Sequence, residues 1–227
     1  MKPNSQAPCN VVVLIGGNGG NLQALINAQP QHPAYTIAGV VSHRENAYGL
    51  ERAKKAGIAT AIVDHQHFTD RDLFESTLQK AIQQFEPDLV VLAGFMRILS
   101  PAFIGACPCP ILNIHPSLLP DYKGLHTHER VLAAGEKETG VTIHFVTDEL
   151  DGGPIAAQVR LPIQPDDTVD SLKNRLFKAE HWLYPQVVSW FAQNRLKNDQ
   201  NVVTLDGKRL PPQGMQLSSL FVQGIVS

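Results

Sequence analysis

Short apolar runs alternate with amphipathic segments through the first half of the chain. The first run, residues 11–15, is β-branched and ends in glycines, which is typical of a strand buried on both faces. Further strands are predicted at 35–42, 58–63, 88–93 and 111–114. Between them, helical spacing predicts helices at 22–28, 48–56 and 69–85, the last with Thr69 as its cap. This alternation predicts a parallel sheet.

The second half of the chain has a different pattern. Apolar runs at 141–146 and 154–163 have no convincing helix between them, which favours antiparallel pairing. Residues 168–194 form a long amphipathic segment, and Pro185 within it should break or kink one helix into two pieces. Residues 203–208 predict a hairpin with an Asp-Gly turn. The predicted fold is therefore α/β, an open twisted sheet with a parallel, Rossmann-like N-terminal half and a mixed or antiparallel C-terminal part.

These elements divide the chain of 227 residues into three parts. Residues 1–9 are polar and interrupted by proline, which indicates a flexible N-terminal extension. Residues 10–200 are expected to form a single domain, and the 43% of hydrophobic residues in the chain are enough for its core. Residues 201–227 are expected to form a C-terminal hairpin and a loosely held tail.

Composition and charge restrict the class of partner. A formal net charge of −2 argues against nucleic acid, because binding to phosphates requires many Lys and Arg contacts. No apolar stretch approaches the roughly 20 residues that cross a bilayer, so no membrane partner is expected. Three cysteines cannot all pair with one another, which favours a reducing, cytoplasmic setting. The expected partners are small molecules, and the residues leave a monomer and a homodimer open.

Glycines follow the first predicted strand and precede the first predicted helix. At such a junction, free backbone N–H groups and the helix dipole form a site for an anion such as phosphate. The dinucleotide fingerprint is absent, because Leu22 stands where its third glycine would lie, and no Gly-Lys-Ser/Thr sequence follows for an ATP P-loop. Residues 16–21 by themselves fit a tight turn as well as a phosphate site.

Asn113 and His115 lie at the end of a predicted strand, where alternation directs both side chains to the same face. In an open α/β sheet, ligands bind at the carboxyl ends of strands, so this amide and imidazole are candidates to contact a substrate. A hydrogen-bonded structural histidine is the alternative. Asp151, in an acidic Asp-Gly-Gly loop, is a candidate to orient His115. The alternative there is an Asx turn in which Gly152 has the unusual dihedral.

Other combinations of polar residues do not form a recognisable site. His126 and His128 are not far from Cys107, but the three or four ligands at regular spacing that zinc requires are missing, so no metal is expected. A Gly-x-Ser-x-Gly elbow is missing too, which argues against a serine hydrolase.

Four ordered motifs together resemble the phosphoribosylglycinamide formyltransferase family. They are Gly-Asn-Gly-Gly-Asn-Leu-Gln at 17–23, Ala-Gly-Phe-Met-Arg-Ile-Leu-Ser at 93–100, Asn-Ile-His-Pro-Ser-Leu-Leu-Pro at 113–120 and Asp-Glu-Leu-Asp-Gly-Gly-Pro at 148–154. The resemblance runs from about Asn10 to Gly214. It implies a formyltransferase-like sheet. It also implies transfer of the formyl group of 10-formyltetrahydrofolate, a cosubstrate, to the amine of glycinamide ribonucleotide, the third step of purine synthesis.

The resemblance implies roles for individual residues as well. The catalytic trio falls on Asn113, His115 and Asp151. The residues implied to bind the ribonucleotide are Gly19, Gly20, Asn21 and Glu180. Those implied to bind the folate are Arg71, Met96, Arg97, Ile98, Leu99, Asn113, Thr147, Asp148, Glu149, Leu150 and Asp151. Supporting hydrogen bonds from Thr142, His144 and Thr147 are left open.

One position departs from the family's pattern. Position 20 is usually serine in these enzymes, and Gly20 lacks a hydroxyl that would donate to the phosphate, so backbone donors would have to compensate. Related folate enzymes, methionyl-tRNA formyltransferase and formyltetrahydrofolate hydrolase, share the trio but carry further domains. Gly-Leu-His-Thr-His at 124–128 favours the ribonucleotide enzyme. A non-catalytic folate or nucleotide sensor is the alternative from another class.

Formyl transfer explains why these residue types are needed. The acceptor's amine must lose a proton before it attacks, and the attack creates a tetrahedral oxyanion that needs hydrogen-bond donors. Asn113 is an uncharged donor, and His115 is expected to stabilise the oxyanion and pass a proton to N10 of the folate. Asp151 is expected to orient His115 and favour its charged form.

Overall fold

The computed structural model describes residues 7–217 as a large mixed sheet with helices on both faces, and a small second sheet. The strands are β1 Cys9–Ile15, β2 Tyr35–Ser42, β3 Thr60–Ile62, β4 Leu89–Leu92, β5 Ile111–His115, β6 Glu138–Phe145, β7 Ile155–Pro162, β8 Leu196–Asp199, β9 Val202–Leu205, β10 Lys208–Arg209 and β11 Met215–Leu217. The α-helices are α1 Gly20–Ala28, α2 Tyr48–Lys55, α3 Arg71–Gln83, α4 Pro101–Ala106, α5 Thr127–Ala133 and α6 Val169–Ala192.

The large sheet has the strand order β11-β7-β6-β5-β4-β1-β2-β3. From β3 to β5 the neighbouring strands are parallel, whereas β6 is antiparallel to both β5 and β7. The predicted α/β sheet, with a parallel first half and a mixed second half, is thus confirmed. Because β1 lies between β2 and β4, successive strands are added first on one side of β1 and then on the other. Open sheets of this kind bind ligands beside such a reversal of strand order.

The core consists of two apolar clusters, one on each face of the sheet. Side chains of β1 alternate between them, with Val11, Val13 and Ile15 in one cluster and Val12 and Leu14 in the other. The first cluster packs against α1 and α6, and the second against α3 and α4. Burial on both faces explains why the parallel strands are continuous apolar runs rather than alternating ones.

Helix α6 corrects one prediction. Pro185 lies inside it, yet Val169–Ala192 is one helix and not two pieces. A proline removes one backbone hydrogen bond, but tertiary packing offsets that loss here. The neighbouring Tyr184 is fully buried, and its hydroxyl lies 3.0 Å from the carbonyl oxygens of both Leu92 and Leu112. A capping box formed by Thr168 and Ser171 fixes the start of the helix.

Other boundaries differ in smaller ways. Asp70, not Thr69, caps α3, because its carboxylate accepts from the N–H of Leu73. The short helices α4 and α5 were not predicted, since six or seven residues contain too few turns for a periodic signal.

All three cysteines are free thiols. No helix within residues 7–217 is both long and apolar enough to span a bilayer.

The C-terminal region is more ordered than the sequence suggested. The hairpin of β9 and β10 turns at Asp206 and Gly207, both with positive φ, as the Asp-Gly signal predicted. β8 extends it to a three-stranded sheet, and β11 pairs in parallel with β7 at the edge of the large sheet. The expected loose tail is therefore wrong for residues 215–217. Residues 1–6 and 218–227, which belong to the predicted extension and tail, lie outside the described residues.

Candidate active site

Asn113 and His115 project from the same face of β5. The adjacent Leu112 belongs to the apolar cluster beneath α1 and α6, so alternation directs Asn113 and His115 to the opposite face. His115 is 5% exposed. The antiparallel pairing of β5 with β6 places His144 directly opposite Asn113, and Nδ2 of Asn113 lies 3.1 Å from Nε2 of His144.

Asp151 reaches this face from the loop between β6 and β7. Its Oδ2 lies 3.4 Å from Nδ1 of His115, and its Oδ1 lies 3.8 Å from Nε2 of His144. The backbone N–H of Gly124 donates to Oδ2 over 2.9 Å, which holds the carboxylate in place. The structure therefore brings Asn113, His115 and Asp151 together, although 36 residues separate His115 from Asp151 in the chain.

The conformation of this loop also differs from the alternative considered above. Asp151 itself adopts the left-handed conformation, with φ of 49°, and Gly152 does not. Asp is tolerated there better than most residues, because its short polar side chain makes local hydrogen bonds. A side-chain carbon at position 152 would lie 2.2 Å from Cδ of Glu149, which belongs to an exposed side chain that can move.

His144 is the member of the cluster whose role the sequence left open. The amide nitrogen of Asn113 only donates, so Nε2 of His144 accepts, and Nδ1–H then donates to the carbonyl of Phe145 over 3.1 Å. Burial lowers the pKa of His144, which favours this neutral form. His144 lies opposite Asn113 because of the register between β5 and β6. That register is known only from the folded sheet, so the sequence alone could not assign this contact.

Both ring nitrogens of His115 face oxygen acceptors. Nε2 lies 2.9 Å from the carbonyl oxygen of Tyr122, so Nε2 carries a hydrogen, while Nδ1 faces the carboxylate of Asp151. A protonated ring would donate to the Tyr122 carbonyl and pair with the Asp151 carboxylate.

The glycine loop forms the turn between β1 and α1. Gly19 has φ of 74°, and a side-chain carbon there would lie 2.7 Å from Cα of Gly49 in α2. Gly20 starts α1, and no side chain caps the N–H groups of the first turn. These donors and the helix dipole fit an anion. Nε2 of His181 lies 2.9 Å from the position of a side-chain carbon at Gly20, so an imidazole occupies the space that a serine would need.

A buried carboxyl group adjoins this loop. Nδ2 of Asn21 donates to Oε2 of Glu180 over 2.7 Å, across 159 residues of sequence. Burial raises the pKa of Glu180 to about 7, and the bond from Asn21 opposes that shift. Oδ1 of Asn21 is buried and has no protein partner in the described structure.

The residues implied to bind folate fall into two groups. Nη2 of Arg71 donates to the carbonyl of Ile98 over 2.9 Å, which joins the start of α3 to the segment 96–99 after β4. In that segment Met96, Arg97 and Ile98 are exposed and Leu99 is buried. The second group, Thr147, Asp148, Glu149 and Leu150, lies with Asp151 in the loop between β6 and β7.

Leu150 in this loop is half exposed, as expected of an apolar side chain that a bound ligand would cover.

Within residues 7–217, no group of three or more His, Cys, Asp or Glu side chains is arranged to hold a metal ion.

The chain is similar to known proteins over most of its length. The family model described as formyl transferase matches residues 9–188. The chain is 51% identical over 206 residues to phosphoribosylglycinamide formyltransferase of Escherichia coli (strain K12). The aligned residues cover 90% of this chain and 97% of that protein. It is 43% identical to the enzyme of the same name from Haemophilus influenzae, with the same coverage. A solved phosphoribosylglycinamide formyltransferase structure from Coxiella burnetii superposes with a TM-score of 0.89 at 53% identity, covering 93% of this chain and all of that one.

Proposed function

Because the chain belongs to the formyl transferase family, we propose that it transfers the formyl group of 10-formyltetrahydrofolate to the amine of glycinamide ribonucleotide. The observation that carries this proposal is the cluster of Asn113, His115 and Asp151 on one face of the sheet, with one hydrogen of the Asn113 amide free to face a carbonyl oxygen. The relatives that cover nearly the whole chain share one name, which identifies the acceptor class.

The two substrates bind at different parts of the site. The N–H groups at Gly19, Gly20 and Asn21 bind the ribonucleotide phosphate, and Glu180 binds another polar group of the same substrate. The folate lies against the exposed side chains of residues 96–98, with Arg71 and Leu99 supporting that segment. Residues 147–151 form the other wall of the folate site and include the catalytic Asp151.

The chemistry assigns a role to each member of the trio. The acceptor's amine, once deprotonated, attacks the formyl carbon, and the carbonyl oxygen becomes an oxyanion. The Asn113 amide has two hydrogens; one is bound to His144 and the other donates to this oxyanion. The charged His115 stabilises the same oxygen, and Asp151 holds that imidazolium in place.

Collapse of the tetrahedral intermediate completes the transfer. The bond between the formyl carbon and N10 of the folate breaks as N10 takes a proton from His115. The proton lost by the acceptor's amine restores the charge on His115 for the next cycle, so protons balance over the turnover. The products are the formylated ribonucleotide and tetrahydrofolate.

The proposal is tested by mixing the purified protein with both substrates and following the release of tetrahydrofolate. His115→Ala and Asp151→Asn are each expected to lower kcat by about 100-fold or more, the usual effect of losing a group that stabilises the transition state. His67→Ala, which alters an exposed histidine on the surface, is the matched control and should leave kcat unchanged.

Thermal melting checks that each variant folds. Folded His115→Ala and Asp151→Asn proteins with normal turnover would refute the assignment. Replacing the ribonucleotide by methionyl-tRNA or by water tests the other acceptors used by enzymes with this trio. Binding of both substrates without release of tetrahydrofolate would instead support a folate or nucleotide sensor.

The cellular setting follows from the same features. We propose that the protein acts on small molecules in the cytoplasm, as a monomer or a homodimer, without nucleic acid or membrane partners. Its three free thiols fit a reducing compartment.

A further inference from the structure

Arg52, on helix α2, is bound to the glycine loop and to the first turn of α1 by three hydrogen bonds. Its Nε donates to the carbonyl of Asn18 over 2.8 Å, and its Nη2 donates to Oδ1 of the same residue over 3.2 Å. Its Nη1 donates to Oε1 of Gln23 over 3.2 Å. Asn18 and Gln23 flank residues 19–21, so one planar guanidinium connects both sides of the loop.

Among the described residues, no carboxylate pairs with the positive charge of Arg52. Within residues 7–217 its guanidinium makes no salt bridge, and the first turn of α1 contains no acidic residue. Three of its five N–H hydrogens are used by the loop, which leaves two for another acceptor. An unneutralised cation fixed at a helix N-terminus strengthens the attraction for an anion there.

Two further observations place Arg52 close to Gly19 and Gly20. Cδ of Arg52 lies 3.4 Å from the position of a side-chain carbon at Gly19. The pKa of His181, whose ring adjoins Gly20, is lowered by burial and then by the charge of Arg52. Arg52 and His181 therefore approach the two glycines at which the phosphate is proposed to bind.

We propose that Arg52 is a positioning residue for the phosphate of the acceptor: it holds the glycine loop in its binding conformation and adds positive charge to the site. This inference rests on the proposed function. It also explains how the loop binds phosphate without a hydroxyl at Gly20, since a fixed guanidinium and free backbone donors provide the attraction.

A purely structural role would have different consequences. Arg52 also lies over the ring of Tyr48, 5.0 Å from its centroid, and loss of that contact would change stability alone. The decisive readout is therefore the Michaelis constant for each substrate measured separately. Lys54→Ala is the matched control, because Lys54 is an exposed cation on the same helix.

Arg52→Ala is expected to raise the KM for the ribonucleotide about tenfold, equivalent to about 1.4 kcal/mol of binding free energy, with kcat and the KM for the folate nearly unchanged. Arg52→Lys keeps the charge but not the planar fork, so it should recover part of the loss. Lys54→Ala should match the unaltered protein. An unchanged KM for the ribonucleotide in Arg52→Ala, or an equal rise in both KM values, would overturn the proposal.

Binding of ribose 5-phosphate, measured by calorimetry, separates this inference from the proposed function. Absence of tetrahydrofolate release by the unaltered protein would refute the proposed function, whatever Arg52 does. Weaker ribose 5-phosphate binding by Arg52→Ala than by Lys54→Ala would still support the role of Arg52. Equal affinities of these two variants would refute it even in an active enzyme.

Discussion

At the scale of single residues, the site depends on which groups are charged. His144 is kept neutral by burial and accepts from Asn113, whereas His115 lies between two oxygen acceptors that suit its charged form. Two histidines on neighbouring strands thus have different surroundings, and burial lowers the pKa of His144.

Glu180 leads to a prediction about pH and stability. Burial raises the pKa of this carboxyl from its ordinary value of 4.5 to about 7. Between these values the folded protein holds a proton that the unfolded chain has lost, so stability falls as the pH rises through this window and levels off above it. Glu180→Gln stays neutral at every pH and keeps an oxygen that accepts from Asn21.

At pH 8, Glu180→Gln is therefore expected to be more stable than the unaltered protein, by on the order of 2–4 kcal/mol. Near pH 4.5 the two should be similar. Urea unfolding at both pH values measures the difference, with Glu51→Gln, an exposed glutamate on α2, as the control. Equal urea midpoints at pH 8 would show that ionisation of Glu180 does not lower the free energy of unfolding. The same substitution should weaken ribonucleotide binding.

At the scale of elements, the loop between β6 and β7, which contains Asp151, has two consecutive glycines. A side-chain carbon at Gly153 would lie 1.8 Å from the carbonyl oxygen of Phe145, a rigid atom of β6. At Gly152 the obstacle is the carboxylate end of Glu149, an exposed and flexible side chain. The two glycines therefore differ in what a substitution would displace.

Gly153→Ala is expected to lower stability by more than about 2 kcal/mol and to reduce kcat, because the start of β7 and Asp151 must both shift. Gly152→Ala should cost less than about 1 kcal/mol, since Glu149 can move away and lose only its surface ion pair with Lys123. Denaturant unfolding and kcat, measured for both variants, test these expected losses. Similar losses in both variants would contradict the argument.

At the scale of the whole molecule, the site joins distant parts of the chain. Asn21 and Glu180 meet across 159 residues, and the trio comes from β5 and from the loop after β6. A ligand bound there is linked to the folding of both halves of the sheet. Its binding free energy should therefore stabilise the described fold as one unit.

Ribonucleotide at a hundred times its Kd is expected to raise the free energy of unfolding by about 2.7 kcal/mol. Far-ultraviolet circular dichroism and the fluorescence of Trp182 and Trp190, both on α6, should report one common transition that shifts as a whole. A part of the circular dichroism transition that does not respond to the ligand would show that some of the sheet unfolds independently of the site.

The sequence by itself determined the parallel half of the sheet and the Asp-Gly hairpin, and its motifs led to the proposed trio. Buried parallel strands are local apolar runs, a two-residue turn depends on its own dihedrals, and the motifs are contiguous. These features depend on residues close together in the chain, so local patterns are enough to predict them.

Only the tertiary structure decided the rest. Pro185 within an unbroken α6, the pairing of β11 with β7, the place of His144 opposite Asn113 and the bonds from Arg52 to the glycine loop all depend on contacts between distant segments. Such contacts are set by strand register and by the packing of helices on the sheet. A local pattern contains no information on either, because the same helix or strand can pack in several registers until the whole core selects one.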